Sequence, residues 1–383
     1  MRILHTSDWH LTKALHRRDR TPEYEAAIDE IVSIADDRDV DLVVHSGDVF
    51  DRAMPPPEAI RLALSALVRL TGGGTRPVVV VAGNHDSPKL FAALAPVLEP
   101  LGIHLVGELL GPDAGGCLEL DTKGGRALVS CVPWVRPGAV VDFMGPVGEG
   151  YGHLADKMKA IVGAHAAHVQ GEEAVSVLVS HFMVVGASVG TGHGPTGMKP
   201  MDIGDAFMVT PAAVNFDFSY FALGHIHAPQ RVPGAPAGEY AGSLLQCDFG
   251  EAGEEKRVVV VEAHPNRPAV AESIPLASGR PLVRVSGTWD QLDTRDDLDD
   301  VWLDLTVETT GPPLAATVDA WQQRFPLAVK LAADYPVEEV EEGRVVSGRP
   351  LPELYEDYLR SVRGTPPDGA VEVFSEIQDE VER

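Results

Sequence analysis

Aspartate, histidine and asparagine stand at the ends of apolar runs in this chain. The first run gives way to Asp8-Trp-His10, the second to Gly47-Asp48-Val-Phe-Asp51 and the third to Gly83-Asn84-His85-Asp86. Later runs end at His181 and at Gly224-His225-Ile-His227. Imidazole nitrogens with carboxylate and carboxamide oxygens are donors that suit Mn, Fe and Zn. Asp8, His10, Asp48, Asn84, His181, His225 and His227 can serve two ions if one carboxylate bridges and waters complete the shells. The chemistry of such a pair is hydrolysis. A hydroxide between the ions is the nucleophile, because metal-bound water can fall to a pKa of about 7. Glycines before Asp48, Asn84 and His225 permit sharp turns and close approach of the backbone.

Something must bring these residues together. Apolar runs at 2–6, 41–45, 77–82, 127–132, 175–180 and 219–223 read as buried strands. Helical periodicity fills intervals between them, at 23–35, 59–70 and 155–168. This alternation predicts a layered α/β core, in which the carboxyl ends of the strands open on one crevice. A lone Gly-Asp or a lone histidine is more often structural. Five such pieces in order, each closing an apolar run, favour the metal site. His5 and His45 read as core or supporting histidines. His165 and His168, at i and i+3, read as an exposed helix face. The Gly- and Pro-rich stretches 136–150 and 186–200 read as loops.

The 383 residues carry 57 acidic and 31 basic side chains, a net charge of −26. That excludes nucleic-acid binding by bulk positive charge. It does not exclude a nucleic-acid enzyme, because ions and local basic loops can supply the charge. Lys13, Arg17, Arg18 and Arg20 lie just past the first two ligands, and Arg52 and Lys89 follow the second and third motifs. Such side chains can pair with backbone phosphates without reading bases. The three cysteines are odd in number and form no Cys-x-x-Cys, which argues against a disulfide framework or a Cys-type zinc site. No stretch approaches the ~18 apolar residues of a membrane span, and the start does not read as a signal peptide. The expectation is a cytoplasmic protein with no membrane partner.

The texture changes near residue 280. Val301, Leu303, Leu305 and Val307 alternate as a half-buried strand, residues 315–325 read as a helix and 328–332 as another strand. Two amphipathic helices follow a small α+β module. One carries Leu354, Tyr355, Tyr358, Leu359 and Val362, the other Val373, Phe374, Ile377 and Val381. The expected division is 1–280, 281–340 and 341–383.

Ile3-Leu-His-Thr-Ser-Asp-Trp-His-Leu11, Gly47-Asp-Val-Phe-Asp51, Gly83-Asn-His-Asp86, Gly224-His-Ile-His227 and Gly242-Ser-Leu-Leu-Gln-Cys-Asp-Phe-Gly-Glu251 together resemble the calcineurin-like metallophosphoesterases. Within that superfamily the chain is most similar to the nuclease subunits of the SbcCD type. The resemblance implies a four-layer α-β-β-α core, a small α+β capping domain over the cleft, and C-terminal helices that dock on an SbcC-type ATPase. It implies a DNA nuclease with two divalent ions, Mn2+ in the family's usual pattern, acting on duplex ends, hairpins and single strands in DNA repair and recombination. Its assembly would be a homodimer within a heterotetramer.

The same resemblance implies roles. Asp8, His10 and His227 hold one ion; Asn84, His181 and His225 hold the second; Asp48 bridges. His85 is the catalytic histidine at the leaving oxygen or the scissile phosphate, and Asp51 or Asp86 holds it in place. Some relatives have a histidine where Asp51 stands, so a phosphate-contacting role is not carried to it. The competing readings are a phosphoesterase for small phosphodiesters or phosphoproteins, and a non-enzymatic scaffold with the same fold.

Overall fold

A computed structural model describes residues 1–135, 152–188, 208–336, 349–363 and 369–381. The stretch 136–150 and most of 186–200 lie outside the described residues. In chain order the first strands are β1 (Arg2–Thr6), β2 (Leu42–His45), β3 (Val78–Val81), β4 (Ile103–Val106), β5 (Cys117–Thr122), β6 (Gly125–Val132) and β7 (Val175–His181). A short parallel pair, β8 (Met183–Val184) and β9 (Met208–Val209), precedes β10 (Tyr220–Gly224), β11 (Gln230–Arg231) and β12 (Gly238–Tyr240). Then come β13 (Arg257–His264), β14 (Arg267–Pro275), β15 (Leu282–Thr288), β16 (Trp302–Glu308) and β17 (Ala328–Asp334).

Among the described residues these strands form two large sheets. The first has the order β14-β13-β1-β2-β3-β4, parallel from β1 to β4, with β13 and β14 antiparallel at one side. The second has the order β11-β12-β10-β7-β6-β5, and its four central strands are parallel. Ile3, Leu42, Val44, Val79 and Val81 of the first sheet share one buried cluster with Val129, Val177, Val179 and Ala222 of the second. The sheets therefore pack face to face, and a strand with no solvent face reads as an unbroken apolar run.

Helices cover the outer faces. In α1 (Thr21–Asp37), Tyr24, Ala27, Ile28, Ile31 and Ala35 recur at helical spacing and pack on Leu4, Val43 and Val80, together with α2 (Pro57–Leu70) and α3 (Pro88–Leu98). On the other side, α4 (Gly152–Val169) sets Met158, Ile161 and Val162 against Leu128, Leu178 and Phe221. The layers run α-β-β-α, as expected. His165 departs from its sequence reading. It falls on the inward line of α4, between Ile161 or Val162 and Val169, and is fully buried, whereas His168 is outside and pairs with Asp113 at 3.1 Å.

The third sheet, β15-β16-β17, is parallel. Leu303, Leu305 and Val307 of β16 face Trp321 of α5 (Ala315–Arg324) and Phe325 just beyond it, and form a separate core. Residues Met1–Asp334 make one compact unit and Tyr335–Arg383 a second. In the second unit, α6 (Leu351–Arg363) meets α7 (Ala370–Val381) through Tyr355 and Phe374, stacked with ring centroids 4.3 Å apart. No described helix is long and apolar enough to cross a membrane.

Candidate metal centre

Five strand ends of the two large sheets deliver the candidate ligands. Asp8 and His10 follow β1, Asp48 follows β2, Asn84 follows β3, His181 closes β7, and His225 and His227 follow β10. This convergence costs backbone strain. Asp8, His10, Asp48 and His225 all have positive φ, at 48°, 44°, 58° and 86°. L-residues avoid that region at about 1–3 kcal/mol each, so the surroundings must hold them there. Asp8 N–H donates to the Gly47 carbonyl at 2.9 Å and His10 N–H to the Asp48 carbonyl at 3.1 Å. His225 N–H donates to the Asp8 carboxylate at 3.2 Å, and His85 N–H to Asp48 Oδ1 at 2.8 Å. Gly47 supplies φ 102°, and a side chain there would strike the His181 ring; at Gly83 a Cβ would strike the Asp48 carboxylate.

Donor atoms lie at coordination-shell spacing. His181 Nε2 is 3.1 Å and His225 Nδ1 is 3.0 Å from Asn84 Oδ1. His10 Nε2 is 3.1 Å from His227 Nε2, and both can be grouped with Asp8. Neighbouring ligands on bonds of about 2.0–2.2 Å sit at such separations. Asp48 Oδ2 lies between the two groups, 3.3 Å from His181 Nε2 and 3.7 Å from His10 Nε2. The imidazole nitrogens of His10 and His227 that face each other beside Asp8 can share a cation as readily as a proton. The donor set therefore fits two divalent ions.

The protein also fixes which nitrogens face the centre. His181 Nδ1–H donates to the Ser46 carbonyl at 2.7 Å, which turns Nε2 inward. Burial disfavours the charged forms of both members of the Asp48–His181 pair, but their attraction outweighs it. The Asp48 carboxyl is held well below its usual range and His181 is pushed up to about 9. His225 is pushed down to about 3 by burial and by the neighbouring His181. The indole of Trp134 lies 5.0 Å, centroid to centroid, from the His225 ring.

His85 is half-buried beside this centre, its ring 4.9 Å from that of His10. Sequence reasoning offered the carboxylate of Asp51 or Asp86 to hold it. The structure instead places the Asp51 main-chain carbonyl 2.9 Å from His85 Nδ1. The Asp51 carboxylate turns to Lys13 Nζ at 3.0 Å. The buried Asp86 carboxylate accepts N–H bonds from Val49 at 3.2 Å, Phe50 at 3.0 Å and Gly83 at 2.9 Å. Its oxygens thus tie the β2 loop to the β3 loop through main-chain donors and leave the histidine to the Asp51 carbonyl.

The basic residues separate into two groups. Arg17, Arg18, Arg52 and Lys89 are exposed, and Lys13 is half-buried on Asp51. Arg20 does not belong with them. It is 2 % exposed, with Nε and Nη2 on Glu23 at 3.2 and 2.9 Å and Nη1 on the Gln246 carbonyl at 2.6 Å. A guanidinium so committed has no donor fork to offer a phosphate. His5 and His45 are buried supports: His5 lies between Tyr220 Oη and Ser46 Oγ, and His45 Nδ1 accepts from Gly47 N–H. Glu251, which holds His227 at 2.8 Å, has no role in the sequence reading. Its only signal is its place in the Gly242–Glu251 motif.

Known proteins resemble the chain along most of its length. The family model for calcineurin-like phosphoesterase matches residues 1–229. The chain is 32% identical over 317 residues to the SbcD component of the SbcCD nuclease of Bacillus subtilis (strain 168), covering 80% of this chain and 79% of that protein. It is 28% identical over 325 residues to the SbcD component of the SbcCD nuclease of Escherichia coli (strain K12), covering 81% and 78%. The protein of the same name from Rhodobacter capsulatus is 29% identical over 297 residues, covering 74% and 71%.

Proposed function

This chain belongs to the calcineurin-like phosphoesterases and, within them, to the SbcD nucleases, and from that premise we propose that it is a Mn-dependent nuclease subunit that cuts DNA at duplex ends, hairpins and single strands. The coarser activity, metal-dependent hydrolysis of phosphodiester bonds, follows from the family. The observation that supports two-metal hydrolysis is the convergence of seven ligand-type side chains from five strand ends on two groups that share Asp48, and the DNA substrate rests on the similarity to the SbcD nucleases.

Asp8, His10 and His227 would hold one ion and Asn84, His181 and His225 the other, with Asp48 between them. When bound, two such ions neutralise phosphate charge and acidify a water toward a pKa of about 7. The chain's own residues do the rest. Buried Asp8 and Asp48 would supply the negative charge that holds two dications. His85 Nδ1–H is fixed on the Asp51 carbonyl, which leaves Nε2 to meet the scissile phosphate or, with the ring as imidazolium, to give the Nε2 proton to the leaving oxygen and return to neutral imidazole. Arg17, Arg18, Arg52 and Lys89 can pair with flanking phosphates, which fixes register without reading bases.

The segments 1–280, 281–340 and 341–383 then act as nuclease, cap and partner-binding tail. The partner is an SbcC-type ATPase, the assembly a homodimer of this chain within a heterotetramer, and the setting cytoplasmic DNA repair and recombination. With a net charge of −26, the chain depends on that assembly to retain DNA. The test is cleavage of end-blocked hairpin DNA with Mn2+, with and without the ATPase, beside a small generic phosphodiester. Hairpin cleavage enhanced by the partner is expected. Turnover of the small ester alone would replace this reading with that of a small-substrate phosphoesterase.

A further inference from the structure

Behind His227 lies a buried polar unit that the proposed reaction does not use. Glu251 is 3 % exposed and sits at the end of a short turn, Phe249–Glu251, whose start is capped by the Asp248 side chain on Gly250 N–H at 2.6 Å. Its Oε1 accepts from His227 Nδ1 at 2.8 Å. Its Oε2 is met by Cys247 N–H at 3.0 Å, Ser243 Oγ at 3.1 Å and Lys256 Nζ at 2.8 Å. Lys256 is itself buried and also reaches Glu254 at 2.8 Å and the His227 carbonyl at 3.1 Å. The lysine thus grips both the carboxylate that orients His227 and the main chain that carries it.

We propose that Glu251 is the positioning residue that keeps His227 in the tautomer and rotamer of an Nε2 ligand, with Lys256 locking Glu251 in turn. The proposal rests on the two-ion reading above. A carboxylate on the remote nitrogen of a ligating histidine fixes the ring and raises its basicity, and loss of such a partner lowers metal affinity on the order of 10–100-fold. The geometry favours this role over a purely structural one. A carboxylate needed only to balance Lys256 has Glu254 beside it, yet Glu251 commits a whole oxygen to His227. The Nε2 that this bond turns toward the centre is the atom 3.1 Å from His10 Nε2.

The test is a calorimetric Mn2+ titration of the full chain, with thermal melts alongside, for the wild type, Glu251→Ala, Glu251→Gln and Asp41→Ala. The wild type should take up two ions. Glu251→Ala should weaken one of them 10–100-fold and leave the other near its original affinity. Glu251→Gln keeps an acceptor for the histidine N–H but turns an amide donor toward crowded donors, so its loss should be smaller. Asp41 is a buried carboxylate just before β2 and remote from the site, where it accepts from Arg2 N–H at 2.8 Å; its removal should lower the melting temperature and leave both affinities unchanged. Should Glu251→Ala fail to fold, Glu251→Gln decides by the same reading. Wild-type affinity for both ions in the folded Glu251 variants overturns the proposal, as does an equal loss in Asp41→Ala, which would mean general loosening. A wild type that binds fewer than two ions defeats the two-ion reading itself, a result separable from intact binding in every variant.

Discussion

The indole N–H of Trp302 donates to the Glu23 carboxylate at 2.9 Å, across 279 positions of sequence. This bond joins α1 to the middle strand of the third sheet. Glu23 also accepts from Arg20 Nε and Nη2 at 3.2 and 2.9 Å and from Arg280 N–H at 2.8 Å, so its two oxygens take four donors. The seam beside it is apolar, made by Leu15, Phe249, Leu282 and Trp302.

Removing this carboxylate strands a buried guanidinium. Glu23→Ala should therefore cost about 3–5 kcal/mol of stability. Burial raises the Glu23 pKa, but Arg20 outweighs burial and holds it below its usual value of 4.5. A depressed carboxyl pKa means that the unfolded chain binds the proton more readily. The stabilisation is thus complete above about pH 4.5 and is lost as the pH falls through the lower, folded-state value. Melting temperature measured from pH 7 to pH 3 should fall more steeply for the wild type than for Glu23→Gln. Parallel curves would remove Glu23 from the acid sensitivity of this seam.

Asp48 reaches both ligand groups through one oxygen, Oδ2. Asp48→Asn keeps an oxygen for His85 N–H and a side chain of the same size, and removes only the charge and the second anionic donor. It should retain the fold, lose at least one of two bound ions and lose nearly all nuclease activity. Metal analysis of the purified variant is the check. Two tightly held ions together with wild-type cleavage would contradict the bridging role.

His85 should separate chemistry from binding. Its side chain is outside both proposed ligand groups, so His85→Asn should keep both ions. Cleavage should fall on the order of 10²–10⁴-fold, the usual contribution of a positioned general acid or base. Loss of an ion in this variant would move His85 into the ligand shell and displace it from the proton-transfer role.

What sequence made legible follows from how the site is built. Each candidate ligand ends a strand buried on both faces, so an unbroken apolar run marks its approach, and parallel pairing brings the carboxyl ends together. Edge strands such as β14 leave most of their side chains in solvent, so their apolar pattern is diluted and does not mark them. Arg20 reads like its neighbours Arg17 and Arg18. Its partners are Glu23, on the buried start of α1, and the Gln246 carbonyl, 226 residues away, and the second has no sequence signal. His85 is held by a main-chain carbonyl, and the position of a carbonyl leaves no trace in side-chain identity. Glu251 lies 24 residues beyond its histidine, with no periodicity to connect them.

The C-terminal pair of helices offers a test of the proposed partner. Stacking of Tyr355 on Phe374 joins α6 to α7 and uses one aromatic from each. Tyr358, Val373 and Ile377 remain more than half exposed. Apolar side chains left outside the pair's own contact are available as anchors for helix-in-groove binding. Burying each contributes about 1.5–3 kcal/mol, from which ordering costs must be subtracted. Changing all three to glutamate should then weaken association with the SbcC-type ATPase by roughly 100-fold or more. Mn2+ stoichiometry should not change, because every proposed ligand lies at or before His227. The melting temperature should not change either, because none of the three is buried. Co-purification, Mn2+ titration and a thermal melt of the triple variant read these outcomes separately. Undiminished recovery of the ATPase would place the docking surface elsewhere on the chain.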